Sequence, residues 1–338
     1  MYLVTGGSGF CGFEIVKFLL SKGERVRVLD IEPMPENIAG VEFVNADIRD
    51  GQNVSDACRG IDRVIHTVAK VPISKAGREF HEVNAGGTRH ILEAALSHKI
   101  KKVVHLSSSA VQMSEHNPVP EEAPYNPVGL YARTKMEAEI ICKEYIARGL
   151  SVDMIRPRTV IGSGRLGIFD ILFDWIADGK NIYVIGSGRN KIQFLHSKDL
   201  AECCYLASQK AEAGVYNVGS KNFSTLREDL GALINFAGTG SKIVSLPVAP
   251  SILLLQILDV VRLSPLASWH YLTYHKDFYF NNEAAFKGLG WAPKYGNRDI
   301  LMESYKSYRD KKEAVAHFGT SHRKALKQGL LKILKRVS

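Results

Sequence analysis

Residues 5–12 read Thr5-Gly6-Gly7-Ser8-Gly9-Phe10-Cys11-Gly12. Residues 2–5 are predicted to form a strand before this run, and the apolar positions of 14–21 predict a buried helix after it. In such a strand–turn–helix unit, the first glycine permits the tight turn, the second lets backbone amides approach an anion, and the third lets the helix pack closely. The amides and the helix dipole are expected to bind a pyrophosphate there.

An acidic residue completes the pattern of a dinucleotide site. A second predicted strand, 25–30, ends at Asp30, eighteen residues after Gly12. A carboxylate at that point can accept a hydrogen bond from a ribose 2′-hydroxyl, and its charge would repel the 2′-phosphate of NADP. The pattern therefore predicts NAD rather than NADP. The simpler alternative interpretation is a glycine turn that binds no ligand. The predicted cofactor-binding residues here are Gly6, Gly9, Phe10, Cys11, Gly12 and Asp30.

Strands and helices go on alternating along the chain. Further strands are predicted at 41–45, 63–67, 102–107, 151–156 and 215–218, and helices at 90–97 and 133–147. Strands that alternate with helices form a parallel sheet that is covered on both faces. We therefore predict an α/β fold, a Rossmann-type doubly wound parallel sheet with a smaller C-terminal substrate lobe. The predicted NAD-binding domain is 1–157 plus 193–219, the substrate-binding lobe 158–192 plus 220–312, and the tail 313–338.

The composition excludes several other classes of protein. With 45% hydrophobic and 23% charged residues, a chain of 338 residues is predicted to be globular rather than disordered. The five cysteines form no Cys-x-x-Cys pair and the histidines no paired-ligand spacing, so neither a disulfide framework nor a metal site is expected. Since the predicted first strand begins at residue 2, no leader is expected before it, and we predict a cytoplasmic protein.

The net charge of +9 is concentrated at the C-terminus. Residues 317–338 contain six basic residues and no acidic one, which leaves a charge of +3 for the rest of the chain and gives no reason to expect nucleic acid as a partner. Leu326, Leu330 and Leu334 form an apolar stripe in this segment. Two interpretations stay open: a solvated helix, or a basic amphipathic helix in peripheral contact with an anionic membrane.

Tyr131 and Lys135 are four residues apart in a predicted helix, so their side chains share one face. An adjacent cation favours phenolate over phenol, which makes a tyrosine of pKa ~10 a usable base near neutrality. The strand 102–106 ends in Ser107-Ser108-Ser109, at the end of a parallel strand where doubly wound folds bind ligands. Taken singly, these motifs are also typical of an amphipathic helix start and of an ordinary turn.

With these motifs the sequence resembles the extended short-chain dehydrogenase/reductase family, in its branch of NAD-dependent epimerases and dehydratases. The resemblance covers about residues 2–310. Its motifs lie, in order, at 5–12, 47–50, 66–69, 83–88, 107–109, 131–135, 156–157, 194–200, 215–219 and 289–293. The resemblance implies a fold that hosts many functions. It also implies a reaction in which a secondary alcohol gives its proton to a base and its hydride to nicotinamide, so that a transient ketone forms.

The resemblance also implies roles for individual residues. Tyr131 would be the general base or acid, and Lys135 would bind the nicotinamide ribose and lower the tyrosine's pKa. Ser108, three residues before Val111, would donate a hydrogen bond to the reacting oxygen, with Ser109 as the alternative. The further cofactor contacts that it implies are Asp47 and Ile48 at adenine, Val68 and Ala69 in the cofactor groove, and Asn84, Ser107 and Pro157.

Two departures from the family bear on the substrate. Nucleotide-sugar epimerases usually carry an Arg-Asp pair where this chain has Ile192-Gln193, and the arginine clamps a diphosphate. Substitutes for that arginine are predicted among Arg158, Arg165 and Lys191, although a lysine is a point charge and not a bidentate clamp.

The second departure is the apolar insertion 247–266, which is similar to the 3β-hydroxysteroid dehydrogenase and sterol-type branch and to some bacterial polysaccharide-cluster epimerases. It is too short to span a bilayer, for which ~20 residues are needed. On length it is predicted to be a buried helix of the substrate lobe or a subunit contact. The alternatives are an apolar wall for a lipid-like substrate and a patch that rests on a membrane.

These observations favour a nucleotide-sugar epimerase. The alternative is a dehydrogenase of the hydroxysteroid or sterol type that releases NADH, and a third hypothesis is a dinucleotide-sensing regulator without catalysis, which is disfavoured because such regulators lose the tyrosine–lysine pair. A homodimer is expected through 87–97 and 133–147, since the apolar residues of the first helix cover more than one face. Those apolar residues are Ile91, Leu92, Ala94, Ala95 and Leu96.

Overall fold

The computed structural model describes residues 1–71, 77–164, 168–260, 264, 266, 268–313 and 335. The strands are β1 (Tyr2–Thr5), β2 (Val26–Asp30), β3 (Val41–Asn45), β4 (Arg63–His66), β5 (Lys102–Leu106), β6 (Val152–Pro157), β7 (Thr159–Ile161), β8 (Ile182–Ile185), β9 (Phe194–His196), β10 (Val215–Val218) and β11 (Ile243–Leu246). The helices are α1 (Phe10–Ser21), α2 (Gly51–Ala57), α3 (Glu79–His81), α4 (Gly87–Ser97), α5 (Gly129–Ala147), α6 (Ile168–Ala177), α7 (Ser197–Gln209), α8 (Leu226–Ala237), α9 (Val248–Val260), α10 (Ser268–Thr273), α11 (Glu283–Leu289) and α12 (Asn297–Glu313).

Seven strands form one parallel sheet in the order β10-β6-β5-β4-β1-β2-β3. One hydrophobic core lies between this sheet and α1, α7 and α11, and a second lies between its other face and α2, α4 and α5. The five inner strands are therefore buried on both sides, which explains why their sequences are largely apolar runs rather than alternating patterns. The predicted Rossmann-type doubly wound fold is confirmed.

The strand predictions agree with the structure to within one residue at each end, but the predicted helices begin too late. Helix α1 begins at Phe10, inside the glycine run, where the Phe13 amide donates to the Gly9 carbonyl at 2.8 Å. Helices α4 and α5 begin at Gly87 and Gly129. The predictions relied on apolar periodicity, and each of these first turns contains a glycine, at Gly12, Gly87 and Gly129, which is a weak signal for a helix.

The remaining elements form a third core, to which α6, α8, α12 and β8 contribute. Two short parallel pairs, β7 with β9 and β8 with β11, belong to this half of the chain. The strand predicted at 215–218 is β10, which joins the main sheet beside β6. The division into a cofactor domain and a substrate lobe stays a prediction.

The apolar insertion forms helix α9, and it is not the buried helix that its length predicts. None of its residues is buried, and Leu253, Leu254, Ile257 and Val260 are more than half exposed. Its other side is partly covered at Ile252 and Leu255. None of the helices in the described ranges combines the length and the apolar character that crossing a membrane requires.

The predicted tail 317–338 lies outside the described residues except for Lys335. The Lys335 ammonium pairs with Asp174 and, at 2.6 Å, with Asp178, both on α6.

The sequence argument for a homodimer is wrong in one respect. Four of the five apolar residues of α4 are buried within a single chain, against α2, α5 and the sheet. The breadth of that apolar surface therefore needs no second subunit, and the homodimer stays a prediction from the resemblance.

Candidate active site

The carboxyl ends of β1, β4, β5 and β6 lie side by side because these strands are parallel neighbours. The loops that leave them are the glycine run, residues 67–70, the serine triplet and residues 158 onward. Ligands of doubly wound folds bind in the crevice at this edge of the sheet. Most of the predicted site residues are therefore brought to one edge.

The glycine run approaches its neighbours too closely for any side chain. Gly6 has a φ of +74°, and a Cβ atom there would lie 3.0 Å from the amide nitrogen of Val68 in the loop after β4. A Cβ atom at Gly12 would lie 2.0 Å from the Gly6 carbonyl oxygen. Helix α1 thus packs against the turn itself, and its N-terminus is held where its amides can bind a pyrophosphate.

Asp30 lies at the end of β2, beside the glycine run. Its Oδ2 accepts a hydrogen bond from the Ser8 amide at 3.0 Å, and its Oδ1 accepts one from the Glu32 amide at 3.1 Å. Burial raises the pKa of Asp30, and these two amides oppose that effect. The carboxylate is therefore fixed beside the turn, and it fits the 2′-hydroxyl of NAD better than a 2′-phosphate.

We expect Asp30→Asn to change cofactor selectivity. The amide keeps an acceptor for the Ser8 N–H but loses the charge, so NAD should bind roughly 10-fold more weakly and NADP relatively better, as for the loss of one charged hydrogen bond. Titration calorimetry of wild type and variant with both cofactors measures the ratio. A wild type that binds NADP more tightly than NAD would contradict this assignment.

The loop after β4 is held by Asn84. The Asn84 Oδ1 accepts from the Lys70 amide at 2.8 Å, and its Nδ2 donates to the Lys70 carbonyl at 3.2 Å and to the Thr134 hydroxyl at 3.0 Å. The side chain is fully buried. Asn84 thus positions the half-buried Val68 and Ala69, and a direct contact of Asn84 with the cofactor stays a prediction.

The two residues expected at adenine differ in what their side chains offer. The Asp47 carboxylate pairs with Arg49, with 2.6 Å from Oδ2 to Nη2, and this pairing lowers the pKa of Asp47. The Ile48 side chain is buried, and a Cβ atom at Gly87 would lie 2.8 Å from it. Ile48 can therefore offer a cofactor its backbone rather than its side chain, and both contacts stay predictions.

Tyr131 and Lys135 lie one turn apart near the start of α5. The buried Lys135 ammonium donates to the carbonyl of Leu106, the last residue of β5, at 2.6 Å. Burial lowers the pKa of Lys135 to about 8, which leaves it mostly charged near neutrality. The half-buried Tyr131 ring contacts Phe80 edge-on, with 6.5 Å between ring centroids.

The three serines have different partners. The Ser107 hydroxyl donates to Glu139 at 2.5 Å and its amide to the Ile155 carbonyl at 2.8 Å, so a cofactor contact by Ser107, which stays a prediction, would use its oxygen atoms. The buried Ser109 hydroxyl accepts from Arg158 at 3.0 Å. The half-buried Ser108 hydroxyl accepts from the Ala110 amide at 3.2 Å, and its proton is directed elsewhere. Both hydroxyls accept in these contacts and keep a proton to donate. Ser108 is favoured over Ser109 as the donor to a substrate oxygen because it is the more exposed of the two.

A buried ion pair behind these residues was not predicted. The Glu139 carboxylate accepts two hydrogen bonds from Arg156, at 2.8 Å from Nε and 2.6 Å from Nη2, and one from the Tyr125 hydroxyl at 2.7 Å. Glu139 lies one turn after Lys135 on α5 and also binds Ser107. The pair thus joins α5 to the ends of β5 and β6. The position of Glu139, four residues after Lys135, was a sequence signal that could have found it.

Of the three basic residues expected at the substrate, Arg158 lies at the crevice, in contact with Ser109. Lys191 is exposed, and Arg165 lies outside the described residues. Neither residue at the position of the missing Arg-Asp pair is available to a ligand: Ile192 is buried in the third core, and the Gln193 amide bonds the backbone of Phe280 and Ser220. Among the described residues, no cluster of His, Cys, Asp or Glu could hold a metal ion.

A parallel sheet with a glycine-rich turn, an acid at the end of its second strand and a Tyr-x-x-x-Lys helix is typical of a dinucleotide-dependent oxidoreductase fold. Residues 2–219 match the NAD dependent epimerase/dehydratase family, and the chain belongs to it. The resemblance found in the sequence and the prediction of NAD are both confirmed.

Three individual proteins illustrate the range of relatives. The protein y4nG of Sinorhizobium fredii is 44% identical over 98% of this chain and 85% of its own length. The human sterol-4-alpha-carboxylate 3-dehydrogenase, decarboxylating, is 29% identical over 61% of this chain and 57% of its own length. The Thermus thermophilus UDP-glucose 4-epimerase, solved with NAD, is 26% identical over 93% of this chain and 99% of its own, with a TM-score of 0.74.

Proposed function

We propose that this chain withdraws hydride from a secondary alcohol, and that its net reaction is the epimerisation of a nucleotide sugar. The observation that carries the first part is the fixed position of Lys135: its ammonium is anchored at the end of β5, next to the serine triplet and one helical turn from Tyr131. Similarity to the UDP-glucose 4-epimerase over nearly the whole chain supports the second part.

In this proposal Tyr131 takes the proton of the substrate hydroxyl and Ser108 donates a hydrogen bond to the same oxygen. Lys135 favours the phenolate form of Tyr131 by its charge. NAD, when bound between the glycine run and Asp30, supplies the hydride acceptor. The Glu139–Arg156 pair keeps α5 in register with β5, so that base and donor converge on one oxygen atom.

One observation favours a second candidate, a dehydrogenase of the sterol type that releases NADH. The Gln193 amide is committed to backbone groups, so the usual diphosphate clamp has no replacement at that position. The exposed apolar helix α9 and the sterol-4-alpha-carboxylate relative fit a lipid-like alcohol. From the family resemblance we also propose that the protein is a cytoplasmic homodimer, whichever of the two reactions it catalyses.

Cofactor turnover separates the two candidates. An epimerase should copurify with NAD and produce no free NADH when a nucleotide sugar is added, since the same hydride returns to the ketone. A dehydrogenase should need added NAD and form NADH in step with the ketone. Denaturing release of the bound cofactor, followed by NADH absorbance in a panel of nucleotide sugars and sterols, makes the comparison. Stoichiometric NADH would overturn epimerisation.

A further inference from the structure

Among the described residues, Arg158 is a buried cation that has no counter-ion. It follows the end of β6 and is 3% exposed, and its Nη1 donates to the Ser109 hydroxyl at 3.0 Å. Its Nε is buried with no hydrogen-bond partner. Within the described part of the chain, no carboxylate forms an ion pair with this guanidinium. Arg156, two residues earlier, differs in being neutralised by Glu139.

The surroundings of Arg158 are aromatic. Its Cζ lies 3.9 Å from the ring centroid of Phe278 and 5.8 Å from that of Phe280. Ring contacts stabilise a cation but do not neutralise it. Burial lowers the pKa of Arg158 to about 9, so it stays charged near neutrality. A buried charge of this kind is costly unless an anion pairs with it, and a ligand can supply that anion.

The position of Arg158 indicates where such an anion would lie in the crevice. Arg158 contacts Ser109, whose neighbour Ser108 is the expected donor to the substrate oxygen. Consecutive Cα atoms are about 3.8 Å apart. Arg158 and Ser108 therefore lie in the same part of the crevice, so an anion bound by Arg158 and the reacting hydroxyl can belong to one substrate molecule.

The free donors also indicate the kind of anion. With Nη1 bonded to Ser109, the edge formed by Nε and Nη2 remains, and this edge matches the two oxygens of a carboxylate. One carboxylate balances one guanidinium, whereas a diphosphate would bring a second buried charge that needs further donors.

We propose that Arg158 binds a carboxylate of the substrate and that the substrate is a hydroxy acid, which carries this carboxylate and the reacting secondary hydroxyl in one molecule. This inference rests on the proposed oxidation of a secondary alcohol. The arrangement occurs in a nucleotide-linked uronate, at the hydroxyl next to the carboxylated carbon, and in a 3-hydroxy acid of lipid type. Both are therefore probes of the same site.

The test compares acids with matched neutral molecules on the NAD-loaded full chain. One pair is UDP-glucuronate and UDP-glucose, and the other is 3-hydroxydecanoate and its methyl ester. We expect one acid to bind the wild type about 30-fold or more tightly than its neutral counterpart, as for a buried charge pair. Arg158→Gln should remove that preference, and Arg59→Gln, an exposed arginine on another surface, should keep it. The pair that responds identifies the source of the carboxylate.

Thermal unfolding of the protein without NAD tests whether Arg158 has only a structural role. If Arg158 only holds Ser109 and Phe278, Arg158→Gln should unfold at a lower temperature and lose acid and neutral probes alike. If it is a receptor, removal of an unpaired buried charge should leave the unfolding temperature unchanged or higher. Equal binding of acids by wild type and Arg158→Gln, or no acid preference in either pair, overturns the proposal.

The outcomes also separate this inference from the proposed function. An Arg158-dependent acid preference without turnover of any probe would contradict the oxidation and leave the carboxylate receptor standing. Turnover of UDP-glucose or the ester equal to that of the acids would contradict the receptor and leave the oxidation standing.

Discussion

Tyr131→Phe is expected to lower kcat by about 10³-fold or more while NAD binds almost as in the wild type. The variant keeps the ring against Phe80 and removes the hydroxyl that is proposed to exchange a proton with the substrate oxygen. General acid–base groups typically contribute 10²–10⁴-fold. Steady-state rates with a true substrate, together with calorimetry for NAD, measure the two effects separately.

Two further variants make this result specific. Lys135→Met should damage both turnover and NAD binding, since it removes the cation beside Tyr131 and the donor expected at the ribose. Ser108→Ala should have an intermediate effect, because it removes one hydrogen bond that strengthens as charge develops. Equal turnover in wild type and Tyr131→Phe would refute the mechanism. A larger effect of Ser109→Ala than of Ser108→Ala would shift the donor by one residue.

The second large effect is on stability. Glu139→Ala is expected to lower the free energy of unfolding by about 3–5 kcal/mol, because it leaves the Arg156 guanidinium buried without a counter-ion. It also removes the acceptor for Ser107 and Tyr125. Denaturant unfolding monitored by circular dichroism, with the linear extrapolation to water, gives the value.

The matched control is another glutamate in an ion pair. Glu283 pairs with Lys287 at 2.5 Å across one turn of α11, and both side chains are more than half exposed. Water and salt screen such a pair, so Glu283→Ala should leave the unfolding curve nearly unchanged. If the two variants were equally stable, the Glu139–Arg156 pair would not join α5 to the sheet in the way described.

The family motifs without a chemical role have structural explanations. Asp199, in the motif at 194–200, accepts from the backbone amides of Lys294 and Tyr295, both at 3.1 Å. Trp291, in the motif at 289–293, donates from its indole to the Asp199 carbonyl at 3.0 Å. The two motifs lie about ninety residues apart and form one joint. Their order was visible in the sequence, but this contact was not.

The sequence by itself determined the features that depend on local chemistry. Glycines at 6, 9 and 12 between a strand and a helix, with an acid at the next strand's end, predict a dinucleotide turn, because Gly6 has a positive φ and a Cβ atom at Gly12 would clash with the turn. The strand positions followed from apolar runs, since strands buried on both faces are composed mainly of apolar side chains. The face shared by Tyr131 and Lys135 followed from helical spacing alone.

Only the tertiary structure decided which charges are paired and which surfaces are covered. The sequence around Arg156 and Arg158 does not predict that Glu139 neutralises the first and that, among the described residues, no carboxylate neutralises the second. Helix α9 was expected to be a buried helix or a subunit contact, and within the single chain it is exposed, because the burial of an apolar helix depends on elements distant in sequence. Pairing and burial are set by side chains that meet through the fold, and local periodicity carries no record of those contacts.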